Sequence, residues 1–253
     1  MTKKRLRRER KVVVAFPYNG ETAYTDSNIV DVLVVGESTF SQRGNSKSAR
    51  RWGERKLVEA ARVVHTVMDQ NLYSSGAKWA QEVGMRRHLG GTIRSLYEEG
   101  VVADDDVVVV VDADEVINES TLRKLKEEGL RDGTIAEARL LWNLYSPCWV
   151  HGRKTRVTVA VSLLTLRTTF AWDTHLIRAT RTMPIVPLSD AGHHCSWCFF
   201  TPDQFREKIK FMTDGDATPY PRYEMEAWPD SRIRRFMDNG LWLDGNVHGK
   251  YVC

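Results

Sequence analysis

Residues 105–116, DDVVVVVDADEV, decide how this sequence folds. Five valines stand in a row, and β-branched side chains favour extended backbone. A strand with one wet face would alternate apolar and polar residues. An unbroken apolar run instead predicts a strand buried on both faces, as in the centre of a parallel sheet. The run stops abruptly at Asp112-Ala113-Asp114-Glu115. Two carboxylates one residue apart, just past a strand, can both reach one hard divalent cation. Oxygen ligands suit Mg²⁺ or Mn²⁺, which can in turn bridge a diphosphate. The same spacing occurs at Asp104/Asp106 and Asp214/Asp216, so context has to separate the three. The first pair precedes the valine strand, and the second lies in a Gly-containing loop with no strand leading in. A solvated strand end followed by a helix cap accounts for the same letters without a metal.

Outward from this stretch, residues 11–16 (KVVVAF) and 30–36 (VDVLVVG) read as strands, the first stopped by Pro17 and Gly20. Residues 57–67 are ambiguous, with VVHTV at 63–67 strand-like. Residues 77–99 have helical spacing through Trp79, Val83, Leu89, Ile93 and Leu96, although Gly90-Gly91 weakens the middle. Asn118 can cap a helix over 119–128 that ends at Gly129. Residues 134–144 and 157–166 look like further strands. Thr201-Pro202-Asp203-Gln204 is a helix start running to about residue 212, and a short helix fits 231–237. Strands alternating with helices imply an α/β sheet that binds ligands at its carboxyl edge.

The chain has 253 residues, 42% of them hydrophobic and 28% charged, which are globular proportions. One large domain over 12–253 is expected, preceded by a basic, solvated tail over 1–11. That tail carries seven Lys and Arg against Glu9, a net of six positive charges, so the body carries −2 of the total +4. Such a tail can bind nucleic acid or an acidic surface. No apolar run reaches the roughly 18 residues a membrane span needs, and residues 12–16 are too short for a signal-peptide core. The expectation is a cytoplasmic protein with no membrane contact. Its four cysteines, Cys148, Cys195, Cys198 and Cys253, are then mostly reduced thiols.

Two further segments carry chemistry. In Gly192-His193-His194-Cys195-Ser196-Trp197-Cys198, three readings compete: a zinc site, a redox dithiol, or His194 beside the Asp112/Asp114 metal with the cysteines buried. Plain core packing explains the segment as well as the last of these. Residues 37–47 (ESTFSQRGNSK) end a strand in Glu37. Arg43 and Lys47 follow and can hold phosphate oxygens, though an ordinary charged loop has the same composition.

Residues 30–47, 105–116 and 191–205 together resemble glycosyltransferase family 17, and the likeness is collinear from about residue 12 to 245. It touches Leu144-Tyr145 with Trp149, and residues 240–245 (GLWLDG). The resemblance implies a GT-A-like, Rossmann-type nucleotide-sugar fold with a mostly parallel central sheet. It implies an inverting transfer assisted by Mn²⁺ (or Mg²⁺), usually of GlcNAc from a UDP-sugar donor, to a glycan, protein or other acceptor. Asp112 and Asp114 fall on the family's metal-binding motif. His194 falls on its H-C-S-W-C segment, and we infer a further metal or diphosphate ligand there. The chain departs from the family between Asn19 and Val30, where it is shorter. It departs again at His193, where the animal enzymes have Trp, and neither the anchor nor the stem of secretory relatives is expected.

Inversion needs a base for the acceptor hydroxyl. Glu37, Glu115, Asp173 and Asp244 are the candidates; Glu37 and Asp244 lie in family-like segments, and Asp244 is preferred. Trp197 or Trp242 can stack on a sugar, although core packing serves either equally. The competing class is a nucleic-acid-binding protein acting through the tail, or a viral or bacterial transferase whose acceptor is DNA or a virion protein.

Overall fold

The computed structural model describes residues 8–18, 28–48, 62–74, 77, 79–146, 148–198, 201–211, 220–243, 245–246 and 249–253. Three parallel strands open the chain: β1 (Val12–Tyr18), β2 (Val32–Ser38) and β3 (Arg62–Met68). Helix α1 (Ala80–Glu98) returns the chain to β4 (Val107–Val110), which pairs with β1 on the side away from β2. Beyond it come β5 (Glu115–Ile117), α2 (Glu119–Glu128), β6 (Ile135–Leu144) and β7 (Trp149–Ser162). Helices α3 (Leu163–Thr168) and α4 (Thr174–Ala179) precede β8 (Ile185–Ser196). The C-terminal part holds α5 (Pro202–Phe211), α6 (Arg222–Glu226), α7 (Asp230–Asn239) and β9 (Gly249–Tyr251). Among the described residues one sheet runs β3-β2-β1-β4-β7-β6-β8-β5, with β9 on β7.

The valine run behaves as a strand buried on both faces. Val107, Val109 and Val111 join one core with Val12, Val14, Phe16, Leu33 and Leu122 of α2. Val108 and Val110 join the opposite core with Val13, Ala15, Leu89 and Ile93 of α1, and Ile177 of α4. Its setting differs from the expectation in one respect. β4 is parallel to β1 but antiparallel to β7, so the run of parallel strands β3-β2-β1-β4 ends at the valines. Beyond it, β6 and β8 are parallel, while β6–β7 and β5–β8 are antiparallel.

Local signals explain most boundaries. Asn118 caps α2 through Thr121 N–H at 2.9 Å, and Gly129 ends it at φ 73°. Thr201 and Gln204 exchange reciprocal bonds at the start of α5, which closes the capping box. The diglycine of α1 has a packing reason. A Cβ on Gly90 would stand 1.8 Å from the Trp172 carbonyl oxygen, so the helix lies too close to that loop for any side chain. The expected strand over 157–166 is corrected at its end: Ser162 accepts from Thr165 N–H and turns the chain into α3.

The basic segment is docked where it is described. Arg8 pairs with Asp106 at 3.0 Å, Arg10 donates to the carbonyls of Lys126 and Glu127, and Lys11 Nζ donates to the Val101 carbonyl. Asp106 is fully buried and also accepts from the N–H groups of Lys11 and Ala103. The expected reduced thiols are replaced by two disulfides, Cys148–Cys253 and Cys195–Cys198. No helix among the described residues is long and apolar enough to cross a membrane.

Candidate active site

The order β3-β2-β1-β4 reverses direction between β1 and β4. A crevice opens outside the carboxyl ends at such a reversal. Val111 continues β4 by donating to the Ala15 carbonyl, and Asp112, Ala113 and Asp114 follow at the carboxyl end of the strand, with Ala113 packed into the first core. The turn is closed locally. Glu115 N–H reaches the Asp112 carbonyl at 2.9 Å, and Asp112 N–H reaches Glu115 Oε2 at 2.9 Å.

The two aspartates have unlike surroundings. Asp112 Oδ1 accepts from Arg86 at 2.7 Å, and Oδ2 accepts from Arg178 at 3.0 Å. Arg178 also grips Glu115 through both nitrogens, at 2.7 and 2.8 Å. Burial opposes ionisation of Asp112, but the two guanidiniums prevail and hold its pKa at about 2. Arg86 is held further by Glu82 at 2.6 Å. Burial likewise opposes the charge on Arg178, and Asp112 and Glu115 raise its pKa above the ordinary value.

Asp114 faces the other way. Lys208 Nζ of α5 lies 3.5 Å from its Oδ2, and His194 Nε2 lies 3.9 Å from the same atom. The latter gap is too long for a hydrogen bond. His194 Nδ1 is buried without a hydrogen-bond partner, 3.7 Å from Glu115 Oε1. Burial lowers the pKa of His194; Glu115, Asp114 and Asp112 more than offset it and raise the pKa above the ordinary value. β5 and β8 bring these groups together, with Glu115 and His194 in register and Cys195 N–H bonded to the Asp114 carbonyl at 2.7 Å.

Among the described residues, no three His, Cys, Asp or Glu side chains form a ready metal cage. The donors fit a cation shared with phosphate. Mg²⁺ and Mn²⁺ commonly take one or two carboxylates and complete their shell from substrate and water. Asp114 Oδ2 and His194 Nε2 stand as neighbouring donors with no bond between them, and each Asp112 oxygen keeps a lone pair.

The remaining sequence candidates are dispersed. Glu37 ends β2 at the same carboxyl edge, 2% exposed, with Oε2 3.5 Å from His65 Nε2. Arg43 and Lys47 lie in the loop after β2, where Phe40 bridges Ser46 and Asn71 donates to the Gly44 carbonyl. Trp197 is buried against Phe205 at 5.2 Å in a third core, so its ring is committed to packing rather than open to a sugar. Lys208 lies over its face at 5.7 Å. Glu115 is 4% exposed and tied to Arg178, and Asp173 caps α4 and pairs with Arg87; both are structural rather than free bases. Asp244, like Asp214 and Asp216, lies outside the described residues. The disulfide between Cys195 and Cys198 leaves no thiolate there to hold zinc. Sequence reasoning missed Arg86, Arg178 and Lys208. No local signal marks them, because each meets the aspartates through tertiary packing.

Comparison with known proteins agrees with the sequence likeness. The beta-1,4-mannosyl-glycoprotein 4-beta-N-acetylglucosaminyltransferase of Rattus norvegicus is 27% identical over 276 aligned positions, which cover 93% of this chain and 49% of the relative. The chain thus spans about half the length of that curated relative. A solved 4-diphosphocytidyl-2C-methyl-D-erythritol synthase aligns at 15% identity with a TM-score of 0.39, over 72% of this chain and 90% of the other. An inositol-1-phosphate CTP transferase from T. maritima aligns at 10% identity with a TM-score of 0.34, over 83% of this chain and 98% of the other. The model of glycosyltransferase family 17 matches residues 25–241, most of the sequence, and this chain belongs to that family.

Proposed function

We propose that the chain is a GT-A-like, inverting glycosyltransferase. It moves GlcNAc or another hexose from a UDP-sugar to a hydroxyl of a glycan, protein or other acceptor. One observation carries the reading: a pair of aspartates at the carboxyl end of β4, where the strand order reverses, is surrounded by fixed cations and a histidine. That arrangement suits a diphosphate leaving group.

Asp114 and His194, with Asp112 behind them, would hold Mn²⁺ or Mg²⁺. When bound, the cation supplies Lewis-acid neutralisation of the leaving diphosphate. Arg86 and Arg178 keep Asp112 ionised and in one orientation, so the acidic edge is preorganised before donor arrives. Lys208 presents an ammonium beside Asp114, and Arg43 and Lys47 provide further charge-assisted donors for phosphate oxygens. Displacement at the anomeric carbon requires loss of the acceptor proton, for which Glu37 and Asp244 are the proposed bases. Glu37→Gln and Asp244→Asn separate these two, because loss of the true base lowers kcat more than donor binding.

The nucleic-acid alternative is not favoured. It leaves the family match unexplained, and Arg8, Arg10 and Lys11 are bound to the body of the protein. The testing experiment is nucleotide release from UDP-, GDP- and TDP-sugars, with Mn²⁺ or EDTA. UDP release that EDTA stops and Asp114→Asn lowers at least ~100-fold supports the proposal. No release from any donor, with no nucleotide-dependent rise in Tm, counts against it.

A further inference from the structure

The Cys195–Cys198 bridge is built into the candidate active site. β8 delivers His194 and ends at Ser196, and the bridge closes the chain directly after the histidine. Cys195 N–H donates to the Asp114 carbonyl at 2.7 Å, so the first cysteine is fastened to the backbone of that aspartate. Inside the bridge, Trp197 adopts φ 62°. This left-handed region is costly for a bulky aromatic residue and persists only where the surroundings enforce it. Cys198 N–H reaches the Cys195 carbonyl only at 3.4 Å, which leaves the covalent bridge as the stronger tie across the turn.

The turn also places Lys208. Trp197 is buried against Phe205 of α5, with ring centroids 5.2 Å apart. Lys208 of the same helix lies 5.7 Å over the indole and 3.5 Å from Asp114 Oδ2. Two routes therefore run from one disulfide to Asp114: one through the backbone of β8, the other through Trp197 and α5. The sequence separation across this bridge is 3, against 105 at Cys148–Cys253. A loop so short gains the less from cross-linking in the unfolded chain, so the effect of this bridge is chiefly local.

We propose that Cys195–Cys198 is a redox latch on the nucleotide site. Closed, it holds His194, Trp197 and Lys208 in the binding arrangement; opened, it frees the turn and weakens nucleotide binding. The proposal rests on the glycosyltransferase reading and names a regulation of its site. A thiolate of an external dithiol attacks one cysteine sulfur, the S–S bond breaks, and a mixed disulfide forms. The second thiolate of the dithiol then attacks the mixed disulfide, and the reagent leaves as a cyclic disulfide. Two electrons pass to the protein, and its two sulfurs take up the two protons that the dithiol gives up. Both cysteines are partly exposed, so a dithiol can reach them. With the bridge open, Trp197 returns to negative φ, and its ring no longer sets the position of Lys208.

The test reduces the full chain with dithiothreitol, removes the reagent under argon, and compares the product with the oxidised chain. Alkylation with mass spectrometry reads which bridge has opened. Calorimetry reads UDP binding with MnCl₂, and hydrogen exchange reads the protection of β8 and α5. The expected result is an open Cys195–Cys198 bridge, UDP affinity lower by about tenfold or more, and lost protection, all restored on reoxidation. Cys148→Ser with Cys253→Ser removes the distant bridge and leaves this response in place. Cys195→Ser with Cys198→Ser binds UDP as weakly as the reduced chain under both conditions. Equal UDP affinity of the two wild-type forms overturns the latch. So does a bridge that the dithiol leaves closed, or a response that survives the loss of Cys195 and Cys198. An oxidised chain that fails to bind UDP sinks the transferase reading; unchanged protection on reduction would then overturn the latch as well, and lost protection would leave it standing. The wild-type comparison needs no variant, so it decides the matter even if either pair of substitutions prevents folding.

Discussion

Asp112 and Asp114 sit two residues apart and do different work. Asp112 is locked between Arg86 and Arg178, whereas Asp114 faces His194 and Lys208 across gaps that a ligand can enter. Arg178→Gln takes from buried Glu115 and from Asp112 the guanidinium they share, so it should destabilise the fold by about 3–5 kcal/mol in urea unfolding. Asp114→Asn weakens only the part-exposed pairing with Lys208 and should cost under ~1 kcal/mol while abolishing turnover. A stability loss in Asp114→Asn equal to that in Arg178→Gln would contradict this division. The aspartates and His194 were legible in the sequence, because a strand end and a rare Cys–His segment mark them. The guanidiniums were not, since Arg86 lies on α1 and Arg178 on a six-residue helix, far away along the chain. His88 gives a pH prediction at the same scale. Burial lowers its pKa below 6.5, and its Nε2 lies 2.7 Å from Thr66 Oγ1. The unfolded chain therefore takes up a proton near pH 6.5 that the folded chain takes up only at lower pH. Stability is full above that value and falls as pH drops below it. His88→Asn should flatten the fall between about pH 7 and pH 5, read as ΔG of unfolding against pH; an unchanged slope would rule His88 out as its source.

At the scale of elements, α1 tests the packing account with two adjacent glycines. Gly90 has the Trp172 carbonyl where a Cβ would go, while Gly91 has nothing within 4 Å. Gly90→Ala should cost about 1–3 kcal/mol through overpacking. Gly91→Ala should gain about 0.5–1 kcal/mol, because alanine restores helix propensity at no steric cost. Equal effects of the two changes in denaturant melts would refute the close approach of α1 to that loop. The same helix shows what the sequence made legible. Its apolar spacing survived the diglycine, and the buried strands β1, β2 and β4 announced themselves as β-branched runs. β8 did not, because it carries Pro187, Ser189, Asp190, Gly192 and two histidines instead of an apolar run. Its partners β5 and β6 supply the hydrogen bonds that its composition does not advertise. The end of β7 was missed for a different reason: Leu163, Leu164 and Leu166 suit a strand or a buried helix equally, and only the Ser162 cap decides between them.

Across the whole molecule, two cores clasp the sheet, and a third gathers α5, α6 and α7 around Phe205, Trp228 and Phe236. Cys148–Cys253 closes a loop with a sequence separation of 105, which the chain-entropy model values at about 4–5 kcal/mol. Cys253→Ser should therefore lower the urea midpoint far more than loss of the Cys195–Cys198 bridge, whose separation is 3. Identical midpoints would mean that the long-range bridge adds no constraint. The proposed function puts a nucleoside diphosphate at the carboxyl ends of β1 and β4, with its cation beside Asp114. Crystals soaked in UDP and MnCl₂, measured at the manganese absorption edge, test this directly. The expected result is an anomalous peak between the diphosphate and Asp114, within ligand distance of His194 Nε2. Bound UDP away from the carboxyl ends of β1 and β4, or UDP at those ends with no manganese beside Asp114, would contradict it.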